Sequence, residues 1–160
     1  MREDQEANIV MDKIDNLVRH DPKNGRWGDC HRVCFAMILG LPAEEVPHFY
    51  ESGDTEDRDA QRARIKQFLD DIDLVEVTFA FPISSHEPIL KTMESLNPGV
   101  PYVLGGMSRS GCGHSVVCLG GELHHDPTGT GIVAPMEDGH YWVTLFSPKP
   151  ACFKVRDEKF

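Results

Sequence analysis

The sequence predicts an α+β fold in which helices come first and an antiparallel sheet follows. Two observations carry that prediction. Helically spaced apolar segments dominate up to the Asn97-Pro98-Gly99 turn, and short β-type segments separated by turn signals dominate after it. Helices gathered before a run of strands argue for α+β rather than an alternating parallel architecture. A third observation fixes the centre: residues 33–39 (Val-Cys-Phe-Ala-Met-Ile-Leu) are apolar on nearly every helical face, as in a buried central helix. A chain of 160 residues is expected to form one domain, spanning 1–160.

Taken in order, Ile9, Val10, Ile14, Leu17 and Val18 give 7–19 a helical spacing. The run His20-Asp-Pro-Lys-Asn-Gly25 ends that segment with turn chemistry. The central helix is expected over 29–39 and is stopped by Gly40-Leu41-Pro42. A short amphipathic turn or helix follows over 43–50, a polar loop over 51–57, and a further helix over 57–70. Residues 74–79 read as a strand. Ser84 and Glu87 have the spacing of a capping box, with Pro88 in the first turn of a helix that reaches Leu96. Strands are expected at 100–105, 114–119, 122–125, 132–135 and 140–146, with an edge at 154–155.

Composition limits the function classes. The net charge is −10, which argues against nucleic-acid binding through a basic surface. The densest acidity, at 51–59 and 70–73, reads as solvated surface, with a preference for basic substrates as the sharper alternative. No apolar run approaches the roughly 18 residues of a membrane span, and the N-terminus lacks a secretory apolar core. The expected location is therefore the cytoplasm, with no membrane partner. Five cysteines at irregular spacing do not suggest a disulfide framework. Cys118 reads as a core residue, and Cys152 has no motif around it.

The chemistry concentrates at Cys30. A loop rich in Gly and polar residues (Asn24-Gly-Arg-Trp-Gly-Asp29) runs into this cysteine, which opens the central helix. Partial positive charge at a helix start favours a thiolate. Downstream, His114 begins one strand and Asp126-Pro127 closes the next. Nucleophile, base and orienting carboxylate thus occur in a coherent order. Strand parity constrains the set. With a two-residue turn at Gly120-Gly121, Asp126 would lie opposite Ser115, on the wrong face. An odd-length loop or a strand break is needed to bring it beside His114. The backbone N–H of Cys30 and the side-chain amide of Asn24 are the expected oxyanion donors; losing one such donor typically lowers rate by about 10²–10³. Asp29 is read as a helix cap, and His31 as solvent-facing or supporting. Trp27 is read as lining the cleft or packing on the core, 108–113 as a flexible loop, and His124 and His125 as alternating inward and outward.

These residues resemble the papain-like cysteine peptidase superfamily, closest to the small bacterial and phage members similar to bacteriocin-leader-processing (double-glycine) peptidases. In that branch an amide residue stands about six positions before a helix-opening cysteine. A histidine then begins a strand, and the orienting aspartate lies in an Asp-Pro pair. Asn24, Cys30, His114 and Asp126 occupy those places, although the family usually has Gln where this chain has Asn24. The likeness covers about residues 22–50 and 100–147. It implies a central N-terminal helix packed on an antiparallel sheet, and hydrolysis of an amide or isopeptide bond in a peptide or protein through an acyl-enzyme. It implies no cofactor and no metal. Two other readings stand beside it. One is a zinc site built from Cys30, His31 and Cys34 with Cys112, His114, His124 or His125. The other is a non-catalytic binding or inhibitor protein on the same scaffold.

Overall fold

The computed structural model describes residues 10–53 and 56–150. Three α-helices, α1 (Cys30–Leu39), α2 (Arg58–Asp71) and α3 (Glu87–Leu96), surround one five-stranded sheet. Its strands are β1 (Leu74–Phe81), β2 (Pro101–Met107), β3 (Gly113–Leu119), β4 (Glu122–His125) and β5 (Tyr141–Pro148). They lie in the order β1-β5-β2-β3-β4, and every pair is antiparallel. The α+β expectation holds at this level.

Apolar residues cover both sheet faces, as the period-two alternation of strands requires. Val103 and Val117 point to one face, against Val33–Met37 of α1 and Ile65 and Leu69 of α2. Tyr102, Leu104, Val116 and Cys118 point to the other, against Ile89 and Met93 of α3. Five consecutive buried residues make α1 the central helix, matching its all-round apolar sequence. The helix ends where Gly40 takes a left-handed φ of 66° and the N–H of Leu41 returns to the Ala36 carbonyl.

Helix α2 starts as expected, with Asp57 accepting from the Asp59 N–H. Helix α3 starts at Glu87, later than the capping-box reading. Ser85, not Ser84, accepts the Glu87 N–H, at 3.4 Å. Only a three-residue 3₁₀ turn, Ala43–Glu45, forms within 43–50. The expected strand at 132–135 reduces to one bridge, Ala134 to Met107. The proposed edge at 154–155, and Cys152, lie outside the described residues.

The largest departure is the first segment. Residues 10–20 contain no helix. The N–H groups of Ile14, Asn16 and Val18 instead donate to Met37 Sδ, the Pro127 carbonyl and Asp29 Oδ1, at 3.3, 3.1 and 3.0 Å. Donation from every second residue is the signature of an extended chain. Residues 14, 16, 18 and 20 are partly buried, while 13, 15, 17 and 19 are exposed.

The β3–β4 hairpin turns on Gly120-Gly121, with φ of 54° at Gly120. A Cβ there would lie 2.4 Å from the Pro98 carbonyl oxygen. Gly120→Ala is therefore expected to lower stability by at least about 1–2 kcal/mol, from the left-handed backbone alone. Thermal unfolding checks this. A drop in Tm of several degrees is expected, whereas an unchanged Tm would contradict the turn geometry.

Candidate active site

Cys30 is the first residue of α1, and the rigid packing of that helix fixes where its side chain emerges. The backbone N–H groups of Ser115 and His31 lie close enough to the sulfur to favour its thiolate. Ser115 directly follows His114 on β3, so the helix head meets this strand one residue from the candidate base. Burial is nevertheless the dominant influence on the thiol, and the charges of Asp29 and Asp126 add to it. Together they push Cys30 up to about 11. The expected thiolate at the helix start is thus outweighed, because desolvation penalises the charged form more than two amides stabilise it. The resting group is the thiol.

His114 is 4% exposed. Alternation places its side chain on the β3 face shared with Val116 and Cys118, while Ser115 turns to α1. Its Nε2 lies 2.7 Å from Asp126 Oδ1. A carboxylate only accepts, so Nε2 carries a proton toward it, and Nδ1 is the ring nitrogen left over. Among the described residues, Nδ1 has no hydrogen-bond partner, and no hydrogen bond joins Cys30 to His114.

Asp126 is the most heavily supported side chain of the set. Its Oδ1 accepts from the N–H groups of Thr128 and Gly129, both at 3.0 Å, and its Oδ2 from Gly131 at 2.7 Å. The Thr128 hydroxyl adds a contact at 3.2 Å. Burial would raise this carboxyl, but the Thr128 and Gly131 amides and the bond from His114 outweigh it and hold it at about 2.

The parity requirement is met by a β-bulge. The turn is the two-residue one, pairing Leu119 with Glu122 and Cys118 with Leu123; the register then slips, and Val117 pairs with His125. His124 is the extra residue, and the slip carries Asp126 to the level of Val116, beside His114. The sequence shows the need for an odd shift, but nothing in it marks His124 as the residue that supplies one.

Other site residues fall differently from expectation. The structure does not bring Asn24 to the sulfur. It sits exposed in the turn before α1, where its amide donates to Asp21 Oδ2 at 2.7 Å. Of the expected donor pair, only the Cys30 backbone N–H remains at the site. Asp29 is not a side-chain cap. It is 1% exposed, takes two bonds from Arg32 at 3.0 and 2.6 Å, and accepts the Val18 N–H. His31 is not solvent-facing. Its Nδ1 lies 3.0 Å from the Ser115 hydroxyl, it packs among Phe35, Phe49 and Tyr50, and burial lowers it to about 4. Trp27 packs over Gly53, where a Cβ would overlap its ring. Residues 108–112 form a turn tied by bonds from Ser108 to Cys112 and Ser110. His124 and His125 both reach the 10–20 segment, at the Met11 carbonyl and at Asp15.

Sequence reading missed a thiol–imidazole contact between Cys112 and His20. The Gly28 N–H donates to His20 Nδ1 at 3.1 Å, so His20 Nε2 carries the proton and donates to Cys112 Sγ at 3.3 Å. Among the described residues, no three His, Cys, Asp or Glu side chains converge to hold a metal ion. His31 is turned to Ser115, and Cys34 is sealed in the core. No helix among the described residues is long and apolar enough to cross a membrane.

No protein-family model matches the chain, and no curated protein or solved structure is significantly similar to it.

The depressed Asp126 value sets a pH dependence. A carboxyl held below its unfolded value stabilises the fold above about pH 4, and that contribution disappears as pH falls toward 2. Asp126→Asn is therefore expected to be less stable than the parent at pH 7, with the difference shrinking between pH 4 and 2. Urea unfolding across that range checks this. A pH-independent difference would show that the charge is not what the turn holds.

Proposed function

We propose that this chain is a cysteine-dependent amide-bond hydrolase of papain-like type, acting on a peptide or protein through Cys30, His114 and Asp126. The observation that supports the reading is the His114–Asp126 pair, cradled by three backbone amides, with Ser115, the next residue on β3, beside Cys30. A purely structural histidine does not need a carboxylate oriented so completely. A base does, because the carboxylate fixes the tautomer and stabilises the imidazolium that forms.

In the proposed reaction, His114 Nδ1 takes the Cys30 proton as the sulfur attacks the scissile carbonyl. The backbone N–H of Cys30 faces the developing oxyanion. The tetrahedral intermediate collapses, the C–N bond breaks, and the leaving amine receives the proton from Nδ1. Water then attacks the thioester with His114 again as base, and releases the acid and the free thiol. With the resting thiol at about 11, proton transfer accompanies attack instead of preceding it as a standing ion pair. Because His114 lies on the β3 face turned away from α1, the reaction requires Cys30 and His114 Nδ1 to be brought together around the strand end.

A non-catalytic binding role is the second reading, favoured by the protonated thiol and the deep burial of His114. Residue-resolved alkylation separates the two. On the hydrolase reading, iodoacetamide modifies Cys30 at pH 7.5 faster than Cys34 or Cys118, and His114→Ala slows Cys30 by about tenfold or more. Rates at Cys30 that ignore His114 would sink the hydrolase reading.

A further inference from the structure

Resting on that reading, we propose that residues 10–20 are a displaceable strap lying in the groove where an extended peptide substrate binds. The segment runs antiparallel to α1. Ile14 donates to Met37, seven residues into the helix from Cys30, and Val18 donates to Asp29, the residue before Cys30. Along its other side lie β4 and the loop after it. The Met11 carbonyl accepts from His124, Asp15 accepts from His125, and Asn16 donates to the Pro127 carbonyl. Between Asn16 and Val18 the backbone therefore passes from the neighbour of Asp126 to the neighbour of Cys30. The backbone bends at 17–18 as it crosses. On the proposed function, this crossing lies over the entry for a substrate carbonyl.

The groove has the features of a peptide seat. It offers acceptors to every second N–H of an extended chain: a methionine sulfur, a carbonyl and a carboxylate. Such main-chain bonding recognises an extended backbone with little regard to side chains. Gly28 lets the chain approach closely, since a Cβ there would lie 3.0 Å from His20 Cβ and 3.3 Å from the Asn16 amide. The far end of the strap is pinned by His20 to Cys112.

The strap is anchored by Met11, buried in the core, and by Ile14 packed against the same cluster, but is loosely held elsewhere. It joins no strand of the sheet, Val10 and Leu17 are 86% and 46% exposed, and Asn16 Oδ1 is buried without a partner among the described residues. An unpaired buried acceptor favours release. A peptide with better contacts would compete for the same seat, so the chain blocks its own site until one arrives.

The experiment measures iodoacetamide modification of Cys30, resolved by peptide mass spectrometry, in the full-length protein. Asp15→Ala combined with His20→Ala removes two pins outside the proposed catalytic set. A second variant carries a specific protease sequence in the exposed turn at 24–25, so that the folded protein can be cut in place and the strap diluted away. Both are expected to modify Cys30 at least tenfold faster than the parent, and a synthetic peptide of residues 10–20 should slow the cut protein again. A Cys30 rate unchanged after the cut and loss of the strap overturns the proposal, and a peptide without effect overturns its peptide-groove part. Accessibility of Cys30 requires no turnover. A strap that covers Cys30 on a protein whose Cys30 ignores His114 would leave the strap standing and remove the hydrolase reading.

Discussion

The arrangement depends on how one carboxylate is held. Asp126 accepts three backbone N–H groups from the turn that follows it and passes its remaining capacity to His114. Everything about the imidazole follows. A proton is held on Nε2, the ring plane is set, and Nδ1 is left without a hydrogen-bond partner among the described residues. The carboxylate reaches the ring only because β4 carries one residue more than its partner strand at the bulge. A single-residue defect in a hairpin thus decides whether the buried His114 on β3 meets a carboxylate.

The second constraint is the rigidity of α1. Val33–Met37 are buried on all sides, so the helix has little freedom to turn or slide. Its first residue therefore meets β3 at a fixed level, beside Ser115. The same burial that positions Cys30 also withholds charge from it, and the nearby carboxylates of Asp29 and Asp126 work in the same direction. Cys30 so placed is held as the thiol. His31 supports it as a neutral spacer, because burial lowers its affinity for a proton and its ring bonds Ser115.

The central helix, the hairpin and its Gly-Gly turn, and the Cys–His–Asp order were legible because each rests on local rules: apolar periodicity, turn chemistry and strand parity. The 10–20 segment was not. Its apolar residues fit a helical spacing, but Leu17 points outward, while polar Asn16 and His20 face inward and disguise a period of two. Partners distant in sequence claim its N–H groups and override the helical preference. Asn24 stands at the spacing of an oxyanion donor, yet the turn it belongs to uses its amide locally, a common fate for Asn. Asp29 has capping chemistry, but Arg32 and the strap take both its oxygens. The missed features all depend on which distant group arrives at a polar side chain, and spacing alone does not encode that.

The proposed reaction requires His114 to hold its proton toward Asp126 on Nε2 and to present Nδ1 to Cys30. Nitrogen-15 NMR of the histidine rings at pH 7 tests it most directly. A protonated Nε2 coupled to Asp126 is expected, with an unprotonated Nδ1 whose resonance shifts when Cys30 is replaced by serine. A ring protonated on Nδ1, or an Nδ1 resonance indifferent to the residue at position 30, would contradict it.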